Sequence, residues 1–93
     1  MEFEWDQRKG ERNLRKHGVG FEEARTVFRD PLARIFNDET HSADERREII
    51  IGHSILKRLV LVCFGERAGR IRIISARPAT PRERKDHEEN ATV

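Results

Sequence analysis

Apolar residues are sparse along this chain, but they fall in dense local runs whose spacing changes from segment to segment. Phe3-Glu4-Trp5 alternates and predicts a short first strand. Asp6 is placed to cap a helix that runs to His17, and Gly18 supplies the left-handed stop after it. Leu14 is the lone aliphatic side chain of that helix, so its apolar face is thin and its other faces are basic. Such a helix is expected at the surface, sealed at one end by Trp5. Phe21, Ala24, Val27 and Phe28 fall at i, i+3, i+6 and i+7 and predict the buried face of a second helix over residues 21–29. Pro31 ends it by steering Asp30 out of the α region.

Strand-like patterns dominate beyond Pro31. Residues 34–36 predict a short strand, and 37–45 are polar, turn-rich and expected as a loop. Residues 47–52, 58–64 and 70–76 predict three further strands, with 58–64 apolar on both faces, as a central strand should be. Ile71 and Ile73 share one face of the last strand, with Arg70, Arg72 and Ile74 on the other. Short links at 52–57 and 65–69 imply an antiparallel meander with Arg67 at a hairpin tip. Thr80-Pro81-Arg82-Glu83 is a capping box with proline at the first helical position. It opens a helix to about residue 89 that carries no aliphatic side chain, and residues 90–93 are expected to fray. The expected architecture is one α+β domain over 1–93, β-α-α-β-β-β-β-α, with a mainly antiparallel sheet.

Length limits what this domain holds. Ninety-three residues bury a small core, which argues against a large enclosed cofactor cavity. The longest apolar run, 59–64, is far shorter than a membrane span. No secretory signal pattern opens the chain, and the single cysteine, Cys63, fits a reducing cytoplasm and no membrane association.

Charge adds more. Nineteen Lys+Arg stand against seventeen Asp+Glu, the pI is about 9.1, and all but four of the basic residues are arginine. Arginine's planar fork suits carboxylates and phosphates, although a solvated arginine-rich surface has the same composition. Residues 6–17 and 57–77 are basic, and 38–48 is acidic. The two basic segments make a positive patch if they meet in space. The acidic segment is either a solubilising loop or a dock for a basic partner.

No metal site is evident. His17, His41, His53 and His87 stand alone, with no metal-ligand spacing, and no cofactor fingerprint or nucleophile elbow is present. Cys63, mid-strand in an apolar run, is expected as a small buried hydrophobe. Lys16-His17-Gly18 sits where the last carbonyls of a helix gather partial negative charge. A protonated His17 there serves either as a general acid or simply as a capping residue. Arg77, at the end of a strand, delivers a guanidinium to the sheet rim or closes a salt bridge to Glu83 or Glu48. Arg67 and Arg72 are weaker candidates. Trp5 is read as a lid rather than a base-stacking platform.

Taken in order, Phe3-Glu4-Trp5-Asp6, Lys9, Asn13, Lys16-His17-Gly18, Phe21-Glu22-Glu23-Ala24 and Phe28-Arg29-Asp30-Pro31 resemble the BrnT family. Asp38, His41-Ser42, Glu45-Arg46, Gly52, Arg72-Ile73-Ile74-Ser75-Ala76-Arg77, Ala79-Thr80 and Glu83-Arg84 extend the resemblance over nearly the whole chain. Where this chain has His87, relatives often carry tyrosine, and this chain has no tyrosine. The resemblance implies a RelE-like fold and a ribonuclease toxin that arrests translation. It implies neutralisation by a BrnA-like ribbon-helix-helix antitoxin, with operator DNA bound only through the hetero-oligomeric complex.

For metal-independent cleavage by a 2′-hydroxyl, chemistry alone suggests these roles, with the general base left unassigned. Arg77 first and Arg67 second stabilise charge, His17 acts as acid, and Lys16 and Lys9 position phosphate. Lys9, Arg72 and Arg12 bind RNA. The competing expectation is a non-catalytic module that binds nucleic acid or antitoxin through the same patch.

Overall fold

The structure, a computed structural model, describes residues 1–38 and 46–91. The expected loop around His41 and the last two residues lie outside that range. The elements are β1 (Phe3–Glu4), α1 (Gln7–His17), α2 (Phe21–Thr26), β2 (Arg34–Asn37), β3 (Glu48–His53), β4 (Leu59–Arg67), β5 (Arg70–Pro78) and α3 (Pro81–Ala91). The order is the expected one. Residues 27–29 tighten into a 3-10 turn where a continuous helix is predicted. That turn is closed by the Asp30 amide donating to the Val27 carbonyl at 3.1 Å. The Asp6 carboxylate accepts from the Arg8 and Lys9 amides to start α1, and Gly18 ends it at φ 73°.

The five strands form one sheet in the order β1-β5-β4-β3-β2. β2 through β5 pair antiparallel, and β1 adds parallel to β5. β4 lies at the centre, as its two apolar faces predict. β4 and β5 run longer than expected, so their link shrinks to Ala68 and Gly69, both with positive φ. This is the tight hairpin geometry that matches strand twist. Arg67 consequently sits in the strand, opposite Arg70, and not in a loose tip.

One face of the sheet carries the core. Val60, Val62, Phe64, Ile50, Ile73 and Ala76 meet Val19, Phe21, Ala24 and Val27 there. Phe3, Phe28 and Phe64 stack edge to face at 5.1 and 4.9 Å, and Trp5 lies edge-on to Phe21 at 6.2 Å as the expected lid. Arg58 forks onto Glu23 and also donates to the Gly18 carbonyl. This arginine of the basic segment is thus a tie between β4 and the α1–α2 junction.

The other face of the sheet is organised by a bulge. Cys63 opposes Ser75 while its neighbour Phe64 opposes Ile73, so Ile74 has no partner on β4. Strict alternation places Arg72 and Arg77 on opposite faces. The extra residue turns the strand over, so Leu61 opposes Arg77, Cys63 opposes Ser75 and Gly65 opposes Arg72, all on the face away from the core.

Candidate functional site

The site is built where α1 meets β5. Lys9, Asn13 and His17 follow one another at four-residue intervals and share one helix face. Leu14 does not dock the helix: it is 53% exposed, and the buried side chain is Asn13. The Asn13 amide donates to the carbonyls of Val19 and Ala76, both at 2.8 Å, and accepts the Ala76 N–H at 3.1 Å. β1 pairs only as far as Arg72, so the side chain takes the place of a missing neighbouring strand. This contact sets the last turn of α1, and with it His17, beside Arg77.

Three hollows run across the open sheet face. The central one, about 320 Å³, is lined by His17, Asp38, Arg47, Cys63, Ser75 and Arg77, with Ile49, Leu61, Ile74 and Ala76 completing it. A basic one of about 500 Å³ is lined by Lys9, Arg46, Arg47, Arg67 and Arg72 together with Gly65, Glu66 and Ile74. The two share Arg47 and Ile74. A Cβ on Gly65 would come within 3.3 Å of the Arg46 carbonyl, so the missing side chain lets that arginine's backbone close in. The third hollow, about 240 Å³, lies under α3 and is more apolar, lined by Phe36, Ile49, Ile51, Leu61, Arg34, Glu83, Asp86 and His87.

Arg77 is held rigidly. Its two terminal nitrogens donate to the two Glu83 oxygens, each at 2.8 Å, and one also reaches the Pro78 carbonyl at 3.2 Å. The guanidinium holds the Glu83 carboxyl down to about 2 and is itself raised by the same pair. Of its five N–H groups, these bonds leave two. Glu83 also accepts the Thr80 amide, as the capping box predicts. Cys63 corrects the expectation of a core hydrophobe, because its thiol faces the central hollow 3.8 Å from Asp38. Burial raises its pKa, and the Asp38 carboxylate adds to that, so it stays a thiol and a poor nucleophile.

Of the residues singled out in the sequence, His17 and Arg77 share the central hollow, while Lys9, Arg67 and Arg72 share the basic one. The two basic segments therefore do meet. Lys16 and Arg12 are exposed on the flank of α1 and line neither hollow. Arg72 also contacts Glu4 at 3.9 Å. Sequence reasoning missed Asn13, Arg46, Arg47 and Asp38. Asn13 carried a usable signal: a polar residue midway between Lys9 and His17 on one helical stripe.

The expectation that the histidines stand alone also needs correction. The rings of His53 and His87 are 6.0 Å apart, with Asp30 beside them. One donor atom from each of these three lies within 4.8 Å of the others, a set able to hold a metal ion.

No helix among the described residues is long and apolar enough to cross a membrane. No curated protein sequence matches the chain. A crystal structure of the Brucella abortus ribonuclease toxin, BrnT, is similar in fold with a TM-score of 0.66 and 26% identity, over 86% of this chain and 97% of that one. The family described as ribonuclease toxin, BrnT, of type II toxin-antitoxin systems matches residues 5–83. With four of the five strands and all the residues lining the central and basic hollows inside that span, the chain belongs to the BrnT family of ribonuclease toxins.

Proposed function

We propose that this toxin cleaves RNA without a metal ion, with the scissile phosphate in the central hollow and the flanking backbone in the basic one. The observation that carries this reading is the joining of the two hollows, which puts His17 and Arg77 next to Lys9, Arg46, Arg67 and Arg72. The RNA's own 2′-hydroxyl attacks phosphorus, and its proton passes to solvent water. The P–O5′ bond breaks, leaving a 2′,3′-cyclic phosphate and a 5′-hydroxyl. His17 protonates the departing 5′ oxygen.

The Arg77–Glu83 pair is formally neutral, so Arg77 acts through the two directed N–H groups that the pair leaves over, held in place before the substrate arrives. Arg67 adds charge on the phosphorane, and Lys9 and Arg72 hold neighbouring phosphates. Lys16 and Arg12, on the exposed flank of α1, serve a longer RNA path than the two hollows alone.

As a type II system toxin it has an antitoxin partner. We assign that partner to the BrnA-like ribbon-helix-helix type, acting in the cytoplasm in a hetero-oligomer that contacts operator DNA through the antitoxin alone. The test is RNA integrity after incubation with purified toxin in EDTA and in Mg²⁺. Equal cleavage in both is expected, with His17→Ala and Arg77→Ala each slowed at least a hundredfold, the loss typical of one transition-state donor. Cleavage that appears only with Mg²⁺, or that both variants retain in full, overturns the assignment.

A further inference from the structure

His87 presents a problem that the ribonuclease reading does not solve. It is 4% exposed, and neither ring nitrogen has a hydrogen-bond partner among the described residues. A buried imidazole left this way is destabilising, and such groups in native structures have a reason. His87 is also the one buried side chain of α3 among the residues described. The helix therefore docks through a ring whose polar atoms are unused.

Those atoms face donors. Asp30, where the 3-10 turn ends, and His53, where β3 ends, bring a carboxylate oxygen and an imidazole nitrogen within 4.8 Å of a His87 nitrogen. The Asp30 Oδ2 and His53 Nδ1 atoms are 3.4 Å apart, close to the ~3.3–3.5 Å edge of a tetrahedral zinc site. Asp30 is fixed by the amides of His53 at 2.7 Å and Leu32 at 2.9 Å, so its carboxylate is already oriented. His53 is exposed at its side chain and free to turn by the remaining ångström or so. Arg34 and Asp86 line the adjoining hollow beside His87.

We propose that Asp30, His53 and His87 form a divalent transition-metal site, suited first to Zn²⁺, that bolts α3 onto the ends of β3 and the 3-10 turn. Two imidazoles and one carboxylate are a ligand set that zinc accepts, with a fourth position open to water. None of the three ligands lines the hollow that contains His17, so the ion is structural and stands apart from RNA cleavage.

The test needs no RNA. Full-length toxin, stripped by dialysis against chelator, is titrated with Zn²⁺ by calorimetry and with Co²⁺ by visible absorption, and its melting temperature is followed against Zn²⁺ concentration. One ion per chain is expected, with tetrahedral or five-coordinate Co²⁺ bands and a melting temperature that rises with Zn²⁺. His53→Ala, on the exposed side of the cluster, should bind at least about tenfold more weakly and lose the thermal shift. His87→Phe should do the same while filling the buried space, and His17→Ala, in the central hollow, should bind like wild type. No binding at 100-fold molar excess of Zn²⁺ overturns the site, as does binding that survives His53→Ala unchanged or is lost in His17→Ala. If His87→Phe fails to fold, His53→Ala still decides.

Discussion

Replacing Asn13 by alanine removes three hydrogen bonds, two of which fasten α1 to β5, and leaves the carbonyls of Val19 and Ala76 and the amide of Ala76 without that partner. Asn13 is 7% exposed, so water enters poorly. Each buried backbone group left unsatisfied costs about 1–3 kcal/mol. Taking the low end for all three gives about 3 kcal/mol, a large share of the ~5–15 kcal/mol that holds such a domain together. With a urea dependence of about 1 kcal/mol per molar for a chain this short, the unfolding midpoint should fall by roughly 2–3 M.

Urea denaturation followed by Trp5 fluorescence measures this, because Trp5 sits against Phe21 beside the same helix. Leu14→Ala is the matched control. As an exposed neighbour it should shift stability by no more than about 0.5 kcal/mol. Asn13→Asp sharpens the test: it keeps an acceptor for the Ala76 amide but points a carboxylate at two carbonyl oxygens. Its stability should therefore rise as the pH falls from 7 toward 4. An Asn13→Ala protein within 0.5 kcal/mol of wild type, or less affected than Leu14→Ala, refutes the account of how the helix is held.

Glu83, held down from an ordinary 4.5 to about 2, contributes stability that is present above 4.5 and is lost as the pH falls through that range. Allowing for solvent screening of a pair with 42% and 30% exposed side chains, wild type should exceed Glu83→Gln by about 1–2 kcal/mol at pH 6. The gap should close toward pH 2–3 in parallel urea titrations, and a gap independent of pH tells against the ion pair as its source. Gly52→Ala would set a Cβ 2.9 Å from the Ala33 Cβ and 3.1 Å from an Asp30 oxygen. A loss of about 1–3 kcal/mol is expected in thermal melts, and a neutral result means the strand shifts freely there. Lys9→Ala and Arg67→Ala in a His17→Ala background should each lower the slope of log affinity for RNA against log salt by about 1. Unchanged slopes would take the RNA backbone out of the basic hollow.

The sequence was most legible where side-chain period alone determines structure. The apolar alternation of 58–64 located the central strand, Thr80-Pro81 located the start of α3, and Gly18 located the end of α1. Less legible were contacts made by one polar group across the chain. Leu14 drew attention as the lone aliphatic of α1, yet 63 positions separate Asn13 from Ala76, its real anchor, and periodicity is blind to such a bond. The same holds for the histidines: His53 and His87 share no spacing pattern, and only the packing of α3 across the sheet brings them together. His17 and Arg77 were identifiable as chemistry, but their adjacency depended on a bulge whose extra residue, Ile74, looks in sequence like any other strand isoleucine.

That extra residue divides β5 into two phases of alternation, with Arg72 reading in one and Arg77 in the other. Losing Ile74 would merge the phases into one regular alternation and leave Arg72 and Arg77 on the same face, without the local twist that the bulge adds. One residue more, with no second bulge to take it up, would instead turn Arg77 into the hydrocarbon interior and Ala76 into the groove. The length of this stretch is therefore constrained in one direction: the bulge can absorb the loss of a residue, but a gain reverses the faces. In genes encoding proteins of this shape, the codon at the bulge is spare in register: it can be lost with the faces kept, but not doubled.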